Sequence, residues 1–138
     1  MTEETQISLL VGLILSLPIG LYSGIIIARY SKFSELRDEA LRIVRTISYM
    51  QEERKIIVSE KNDLPKLTLI SSELLFRQHQ KAADSIITLS AAIADTNHEA
   101  ESGKTPIETY EQRYLHWQKI VRELQPSIRR IFAIAWSV

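Results

Sequence analysis

Hydrophobic and polar positions divide this chain into two unlike parts. Residues 7–28 form an uncharged run of 22 residues, whereas charged residues recur throughout the remainder. At about 1.5 Å per residue, a helix of that length covers roughly 33 Å, enough to cross a hydrocarbon core of about 30 Å. The pattern predicts a short tail over residues 1–6, a transmembrane helix over residues 7–28, and a helical domain over residues 29–138.

A cleaved signal peptide is the competing interpretation of the N-terminus, and Ser23 and Ala28 could mimic small cleavage-site residues. The tail before the run carries no basic residue, and the run is longer than the core of an ordinary signal peptide. The sequence therefore favours a retained membrane anchor.

Small residues recur at every fourth position of the run: Gly12, Ser16, Gly20, Gly24 and Ala28. We call this set the small-residue strip. Residues four apart share one side of a helix, where they let a second backbone approach closely. The strip predicts pairing with another copy of the chain or with another membrane protein. Pro18 removes one helical hydrogen bond, and the Ser16 hydroxyl is expected to help satisfy the freed carbonyl.

Beyond the run, apolar residues recur at helical spacing of three and four. The first set is Phe33, Leu36, Ala40, Ile43, Ile47 and Met50. Because no glycine or proline intervenes before Lys61, this stripe predicts that the first helix continues unbroken from the membrane run. Pro65 is expected near the start of a second helix that runs to about Asn97, with inward positions at Leu69, Phe76, Ala83, Ile86 and Ile93.

The third predicted helix has the most regular pattern. Thr105, Pro106 and Glu108 have the spacing of a capping box. Nine successive inward positions follow: Ile107, Tyr110, Tyr114, Trp117, Val121, Leu124, Ile128, Ile131 and Ala135. Pro126 is expected to break or kink this helix near residues 124–125.

These elements predict an all-α chain: one N-terminal transmembrane helix followed by a cytoplasmic three-helix antiparallel bundle. The first helix would lead away from the membrane, the second would return, and the third would lead away again. The alternative is a coiled-coil-like helical domain, in which the first and third helices form an elongated oligomer.

The charge distribution predicts the orientation. Glu3 and Glu4 precede the run, while Arg29, Lys32 and Arg37 follow it closely. The positive-inside bias therefore places the N-terminus outside and the C-terminal domain in the cytoplasm. The expected membrane-interface anchors are Arg29, Tyr30, Lys32 and Phe33. Tyr22 carries the only titratable side chain in the run, which argues against proton relay or transport of charged substrates.

No reaction chemistry is apparent in the sequence. The chain has no cysteine, and its 17 basic residues balance 17 acidic ones, so neither thiolate chemistry nor general nucleic-acid binding is expected. Residues 102–105 end like a phosphate-binding loop, but His98 stands where that motif needs a glycine. Asp95, His98 and Glu101 form one imperfect metal motif, and a di-metal helical site needs a second copy. We expect no enzyme activity, no metal and no cofactor.

Two histidines and the basic side of the first helix have structural interpretations. His79 falls on the inward line of the second helix as a hydrogen-bonded core residue, and His116 faces solvent or a partner. The basic side comprises Arg37, Arg42, Arg45, Arg54 and Lys55. Acidic residues alternate with it, so an ion-paired surface is favoured, with binding of a nucleotide or a lipid headgroup left open.

The end of the chain is apolar nearly all round, with Ile131, Phe132, Ile134 and Trp136. One bundle contact cannot bury such a segment, so it either closes the bundle on several sides or docks on a partner, and the partner surface is favoured.

The sequence thus predicts a non-enzymatic single-pass membrane protein. It would self-associate or pair through its transmembrane helix and use the cytoplasmic bundle as a protein-interaction or scaffold module. Its expected partners are the lipid bilayer and a second copy or another membrane protein, with no nucleic acid; a small-molecule ligand stays unknown. The alternative is an oligomeric membrane effector or pore-like assembly, gated by a signal that binds the cytoplasmic domain.

Overall fold

The computed structural model of the chain describes residues 3–52, 55–59 and 63–133, and it is mostly helical, with 79% helix. The helices are α1 (Glu3–Thr46), α2 (Leu64–Phe76), α3 (Gln80–Glu101), α4 (Ile107–Arg122) and α5 (Ile128–Ile131). Two strands, β1 (Ser48–Glu52) and β2 (Lys55–Ser59), form an antiparallel hairpin between α1 and α2. The all-α expectation is therefore confirmed at the level of a mainly helical chain with a long apolar N-terminal helix.

Helix α1 is 44 residues long and continues through Pro18. Its first half is exposed, whereas from Phe33 onward one side is buried, as the predicted stripe requires. The Ser16 hydroxyl donates to the Leu13 carbonyl at 3.0 Å. The carbonyl that Pro18 would have bonded is that of Ile14, four residues before it, so the expected compensation by Ser16 is wrong.

The prediction of helix up to Lys61 is wrong, because α1 ends at Thr46 and the hairpin follows. In this segment burial alternates: Ile56 and Val58 are buried, and Ile57 between them is exposed. That period of two is typical of a strand with one face on the core. Met50 pairs with Ile57 across the hairpin and is exposed, so it does not extend the α1 stripe.

The predicted second helix is two helices, α2 and α3, with a reversal at residues 77–79. Gln78 has a φ of 62°, and the His79 N–H donates back to the Leu74 carbonyl at 2.8 Å. The break changes the helical phase, so Ala83, Ile86 and Ile93 are buried as predicted while Leu69 and Phe76 are exposed.

The third predicted helix is confirmed as α4, and the chain leaves the helix before Pro126 and resumes in α5. Buried positions follow the predicted series at Tyr110, Trp117, Val121, Leu124 and Ile131, but Ile128 is exposed, and Ala135 lies outside the described residues. Pro106 occupies the cap position with extended backbone, so the predicted capping box at Thr105 is not formed.

The second half of α1 shares one core with α2, α3, α4 and strand β2. Helix α2 packs on α3, α1 contacts α2 and α4, and β2 lies against α3. The Tyr114 hydroxyl donates to the Arg45 carbonyl near the end of α1, whereas the segment after α4 reaches Arg29. Helix α4 therefore returns along α1, and the prediction that the last helix leads away is wrong, because the break at residues 77–79 adds one reversal. We call the end of this core near Phe33 the proximal end and the end near the hairpin the distal end.

Candidate functional site: the protruding helix and its junction with the C-terminal segment

The first half of α1 projects from the core as an apolar helix. Its most apolar 18-residue window is 0% buried, and within the described part of the chain α1 is the one helix that is long and apolar enough to cross a membrane. A core helix of a soluble protein would bury such a window, and a surface helix would be apolar on one side only. This helix is apolar on all sides and unburied, so its surface needs a non-aqueous environment or a partner.

The small-residue strip lies wholly on this exposed part. A Cβ atom built on Gly12, Gly20 or Gly24 would meet nothing within 4 Å. The described contacts of the chain therefore do not require glycine at these positions. The space beside these glycines is open to another molecule.

The strip and the core-facing side of α1 lie on opposite sides of one helix. At about 100° per residue, Tyr22, Arg29 and Phe33 are about 140° to 180° around the helix from Gly20. Phe33 is in the core, and both Tyr22 and Arg29 contact the C-terminal segment. The protein's own core thus occupies one side of α1 and leaves the strip side open.

The junction between α1 and the C-terminal segment consists of side chain to backbone hydrogen bonds. The Arg29 Nη1 donates to the carbonyls of Arg130 at 3.0 Å, Ile131 at 3.4 Å and Ala133 at 2.6 Å. The Tyr22 hydroxyl donates to the Phe132 carbonyl at 2.8 Å. The last carbonyls of a helix lack partners within it and favour a nearby cation, so Arg29 stabilises the end of α5.

The predicted interface anchors occupy different environments. Tyr30 is exposed, and Lys32 forms an ion pair with Glu35 at 2.8 Å. Phe33 is only 1% exposed and packs in the core, so lipid cannot reach it. Arg29 is directed to the junction, a contact that sequence reasoning missed because its partners are 101 to 104 residues away.

The C-terminal residues predicted as a partner surface are divided between core and surface. Ile131 is buried, and Phe132 is exposed. Ile134 and Trp136 lie outside the described residues. The described part of this segment lies along α1 of its own chain, which makes it part of the junction.

His79 joins three elements at the proximal end, and its prediction as a hydrogen-bonded core histidine is confirmed. Its Nδ1 accepts a hydrogen bond from the Ser127 N–H at 3.0 Å, and its ring meets the Phe33 ring edge-on at 5.0 Å. Burial, and secondarily the charge of Arg77, lowers the pKa of His79 below its usual 6.5. Because Nδ1 accepts, the proton of the neutral ring is on Nε2.

An aromatic cluster fills the distal core. Tyr110 lies 4.8 Å from Tyr49 and 5.7 Å from Trp117, measured between ring centroids, and its hydroxyl donates to Asn97 Oδ1 at 2.7 Å. Burial raises the pKa of Tyr110 far above its usual range. Among the residues that the structure describes, Asn97 Nδ2 has no hydrogen-bond partner. The predicted inward positions of Tyr110 and Trp117 are confirmed, and Tyr114 packs on the core half-buried, whereas the contribution of Tyr49 was not predicted.

Residues 102–104 use their backbone N–H groups to end α3. Ser102, Gly103 and Lys104 donate to the carbonyls of His98, Ala100 and Glu99, respectively. In a phosphate-binding loop those N–H groups point at the ligand, so this segment cannot act as one. Across residues 3–52, 55–59 and 63–133, no group of three His, Asp or Glu side chains is arranged to hold a metal ion.

The polar surface follows the remaining predictions. His116 is exposed. On the predicted basic side, Arg37 pairs with Asp38 at 3.1 Å and Arg42 pairs with Glu39 at 2.6 Å, which confirms the ion-paired interpretation at these two residues; Lys55 lies on β2 and not on α1. Arg54 lies outside the described residues.

Comparison of the chain with protein-family models, with curated proteins and with solved structures found no match.

Proposed function

We propose that this protein is a non-enzymatic single-pass membrane protein that self-associates, or pairs with another membrane protein, through the small-residue strip. Residues 7–28 cross the bilayer, residues 1–6 lie outside, and residues 29–138 form a cytoplasmic helical bundle that serves as an interaction or scaffold module. The observation that carries this proposal is the exposed apolar half of α1 with its open glycine positions.

Burial in lipid accounts for the composition of the protruding helix. Transfer of apolar surface from water is favourable by about 25 cal/mol per Å². Every turn of residues 7–28 exposes leucine, isoleucine or valine side chains, so leaving this helix in water would be costly. Its backbone hydrogen bonds are internal, which a membrane-spanning segment requires.

The junction strengthens the argument for a cytoplasmic core. Arg29 and Lys32 follow the run in sequence, and the contacts of Arg29 bring Arg129 and Arg130 to the same end of the run. Four basic residues therefore gather where the helix would leave the bilayer. This is the asymmetry that retains a segment on the cytoplasmic side.

The two sides of α1 support pairing through the strip. A second helix that approaches Gly20 and Gly24 meets neither α5 nor the core, because both lie on the opposite side of α1. Close approach of backbones at small residues gains dispersion contacts that lipid does not replace. Pairing at the strip would leave each bundle on the outside of the assembly.

The test is the mass of the full chain in detergent and in lipid nanodiscs, together with cross-linking in membranes. Gly20→Ile combined with Gly24→Ile should reduce the oligomer to a monomer or release the partner. The matched control is Val11→Ile with Leu15→Ile, which alters side chains on the opposite side of the same helix and should leave assembly unchanged. An oligomer that survives the glycine substitutions intact would refute pairing through the strip.

Topology needs a separate measurement, and the absence of native cysteine makes it direct. Gln6→Cys should react with a membrane-impermeant thiol reagent only from outside the cell. Lys104→Cys, in the distal loop, should react only after the membrane is opened. Labelling of both from the same side would refute the proposed span.

A further inference from the structure

Four large apolar side chains are exposed at the proximal end of the core, although they come from two separate segments. Leu75 and Phe76 end α2 and are 51% and 81% exposed; Ile128 starts α5 and is 72% exposed, and Phe132 follows it at 54%. Single exposed apolar residues are ordinary on protein surfaces, but a group of them at one end indicates an interaction site.

The same end carries positive charge that is not ion-paired within the described part of the chain. Within the described ranges, neither Arg129 nor Arg130 forms an ion pair, and Arg29 donates to carbonyls. A cleft of about 310 Å³ separates the turn after α2 from α5, and no acidic residue is among its lining side chains, which are Leu75, Gln78, Gln80, Ser127, Arg129 and Arg130. Arginine and amide groups of this kind donate hydrogen bonds to phosphate oxygens.

The junction fixes the depth of this surface relative to the proposed span. Tyr22 lies six residues inside the end of the run at Ala28, which corresponds to about 9 Å along the helix axis. The Tyr22 hydroxyl bonds the Phe132 carbonyl, and Arg29 bonds the end of α5. If residues 7–28 cross the bilayer, Phe132 lies beside the span and α5 lies at the headgroup level.

His79 extends the surface from α5 to the turn after α2. The bond from the Ser127 N–H to His79 Nδ1 holds the start of α5 against that turn. Leu75 and Phe76 end α2 directly before this turn. The two exposed apolar pairs and the two unpaired arginines therefore belong to one surface, which we call the proximal surface: Leu75, Phe76, Ile128, Arg129, Arg130 and Phe132.

We propose that the proximal surface docks on the anionic phospholipid headgroups of the membrane that α1 spans. The inference rests on the proposed function, because it requires the span. Apolar side chains enter the boundary between headgroups and acyl chains, and the arginines bind lipid phosphates in and around the cleft. The core is thereby held against the leaflet and does not swing freely on the end of α1.

The experiment measures the depth of nitroxide labels by electron paramagnetic resonance on the full chain reconstituted in nanodiscs. Cysteine is placed at Phe76, Ile128 or the distal Lys104, all outside the core. In a 7:3 mixture of phosphatidylcholine and phosphatidylglycerol, labels at 76 and 128 should be more accessible to oxygen than to a water-soluble nickel complex. The label at 104 should show the reverse preference.

The second comparison removes charge, either from the arginines of the proximal surface or from the lipid. Arg129→Gln with Arg130→Gln should shift the label at 76 toward the aqueous preference, and so should replacement of the mixture by pure phosphatidylcholine. The matched control, Arg42→Gln with Arg45→Gln, removes two charges from the distal part of α1 and should leave the label at 76 in place. Equal helix content of the variants by circular dichroism separates loss of docking from loss of folding.

A label at Leu17 distinguishes failure of this inference from failure of the proposed function. If the label at 17 is in the bilayer while those at 76 and 128 are aqueous, the span stands and lipid docking is overturned. If the labels at 76 and 128 are shielded from both reagents, a protein covers the surface and lipid docking is again overturned. An aqueous label at 17 would overturn both proposals.

Discussion

Substitution of His79 by alanine tests the contacts that hold the proximal end together. The side chain is buried, and it joins the turn between α2 and α3 to the start of α5 and to Phe33 of α1. Alanine removes the acceptor of the Ser127 N–H and the aromatic contact with Phe33. It also leaves a cavity where the ring was.

The expected loss follows from these parts. An amide N–H left without its partner costs about 1–3 kcal/mol, and the lower end applies because Ser127 is only half-buried. An edge-on aromatic pair contributes about 0.5–1.5 kcal/mol. We therefore expect the free energy of unfolding to fall by about 2–3 kcal/mol at pH 8. His79→Asn, whose Oδ1 can replace Nδ1 as the acceptor, should lose about 1 kcal/mol less.

The pH dependence gives an independent measurement. Because burial lowers the pKa of His79, the unfolded chain binds a proton at a higher pH than the folded chain does. The stabilisation is complete above about pH 6.5, and it is lost as the pH falls from there through the lowered pKa of the folded state. The wild type should therefore lose stability on acidification by up to about 1.4 kcal/mol per pH unit from this group. Neither variant should show that component.

The assay is chemical denaturation of the full chain in detergent at pH 8, 6.5 and 5. Trp117 is buried and reports on the core by fluorescence, in a Trp136→Phe background that removes the other tryptophan. If His79→Ala matches the wild type within 0.5 kcal/mol at pH 8, a margin below one typical hydrogen bond, the role assigned to the ring is refuted. If the alanine variant keeps the wild-type pH dependence, the titrating group lies elsewhere.

Three other predictions use the same core. Ile86→Ala should cost about 2–5 kcal/mol in thermal unfolding, whereas its half-exposed neighbour Ile87→Ala should cost less than about 1 kcal/mol; equal losses would contradict the burial pattern. Tyr110→Phe should cost about 1–3 kcal/mol, and combination with Asn97→Leu should cost less than the sum of the single changes, so an additive double-mutant cycle would be evidence against the buried bond. Arg29→Met removes the Nη1 donor to the carbonyls at the end of α5, so trypsin should cut faster after the α5 arginines, and an unchanged rate would count against the junction.

The apolar run and the core stripe of α1 were predictable, because the first is a long uninterrupted signal and the second is a periodic one. Phe33, Leu36 and Ala40 occupy one side of the helix in the sequence pattern and in the core. A pattern that lasts several turns fixes which face of a helix is apolar even when its ends are uncertain. The same applies to the series from Tyr110 to Leu124.

The hairpin and the reversal at residues 77–79 were missed for a different reason. Neither carries glycine or proline, and Gln78 adopts the left-handed conformation that glycine or asparagine usually supplies. Without a local signal, the helical period was extended through both breaks. Phe76 is consequently predicted at an inward position, although it is the most exposed apolar residue of the proximal surface.

The junction was beyond sequence reasoning because it joins distant residues through backbone carbonyls. The bond from Tyr22 to Phe132 spans 110 positions. Every residue has a backbone carbonyl, so residue type does not reveal which carbonyl accepts a hydrogen bond. The sequence therefore indicated only that Arg29 directly follows the apolar run. The small-residue strip depends on residue type and was therefore predictable from the sequence. The junction depends on the topology of the chain and was not.

The continuity of α1 couples the strip to the orientation of the core. The helix runs without interruption from Glu3 to Thr46, so no loop separates Gly24 from Phe33. The core packs on Phe33 and the later residues of the stripe, and the junction at Tyr22 and Arg29 fixes the C-terminal segment to the same side. A partner helix seated on the strip would therefore determine which way each bundle faces. Docking of the proximal surface on lipid would limit the same rotation, so one orientation of α1 in the membrane would have to satisfy both proposed contacts.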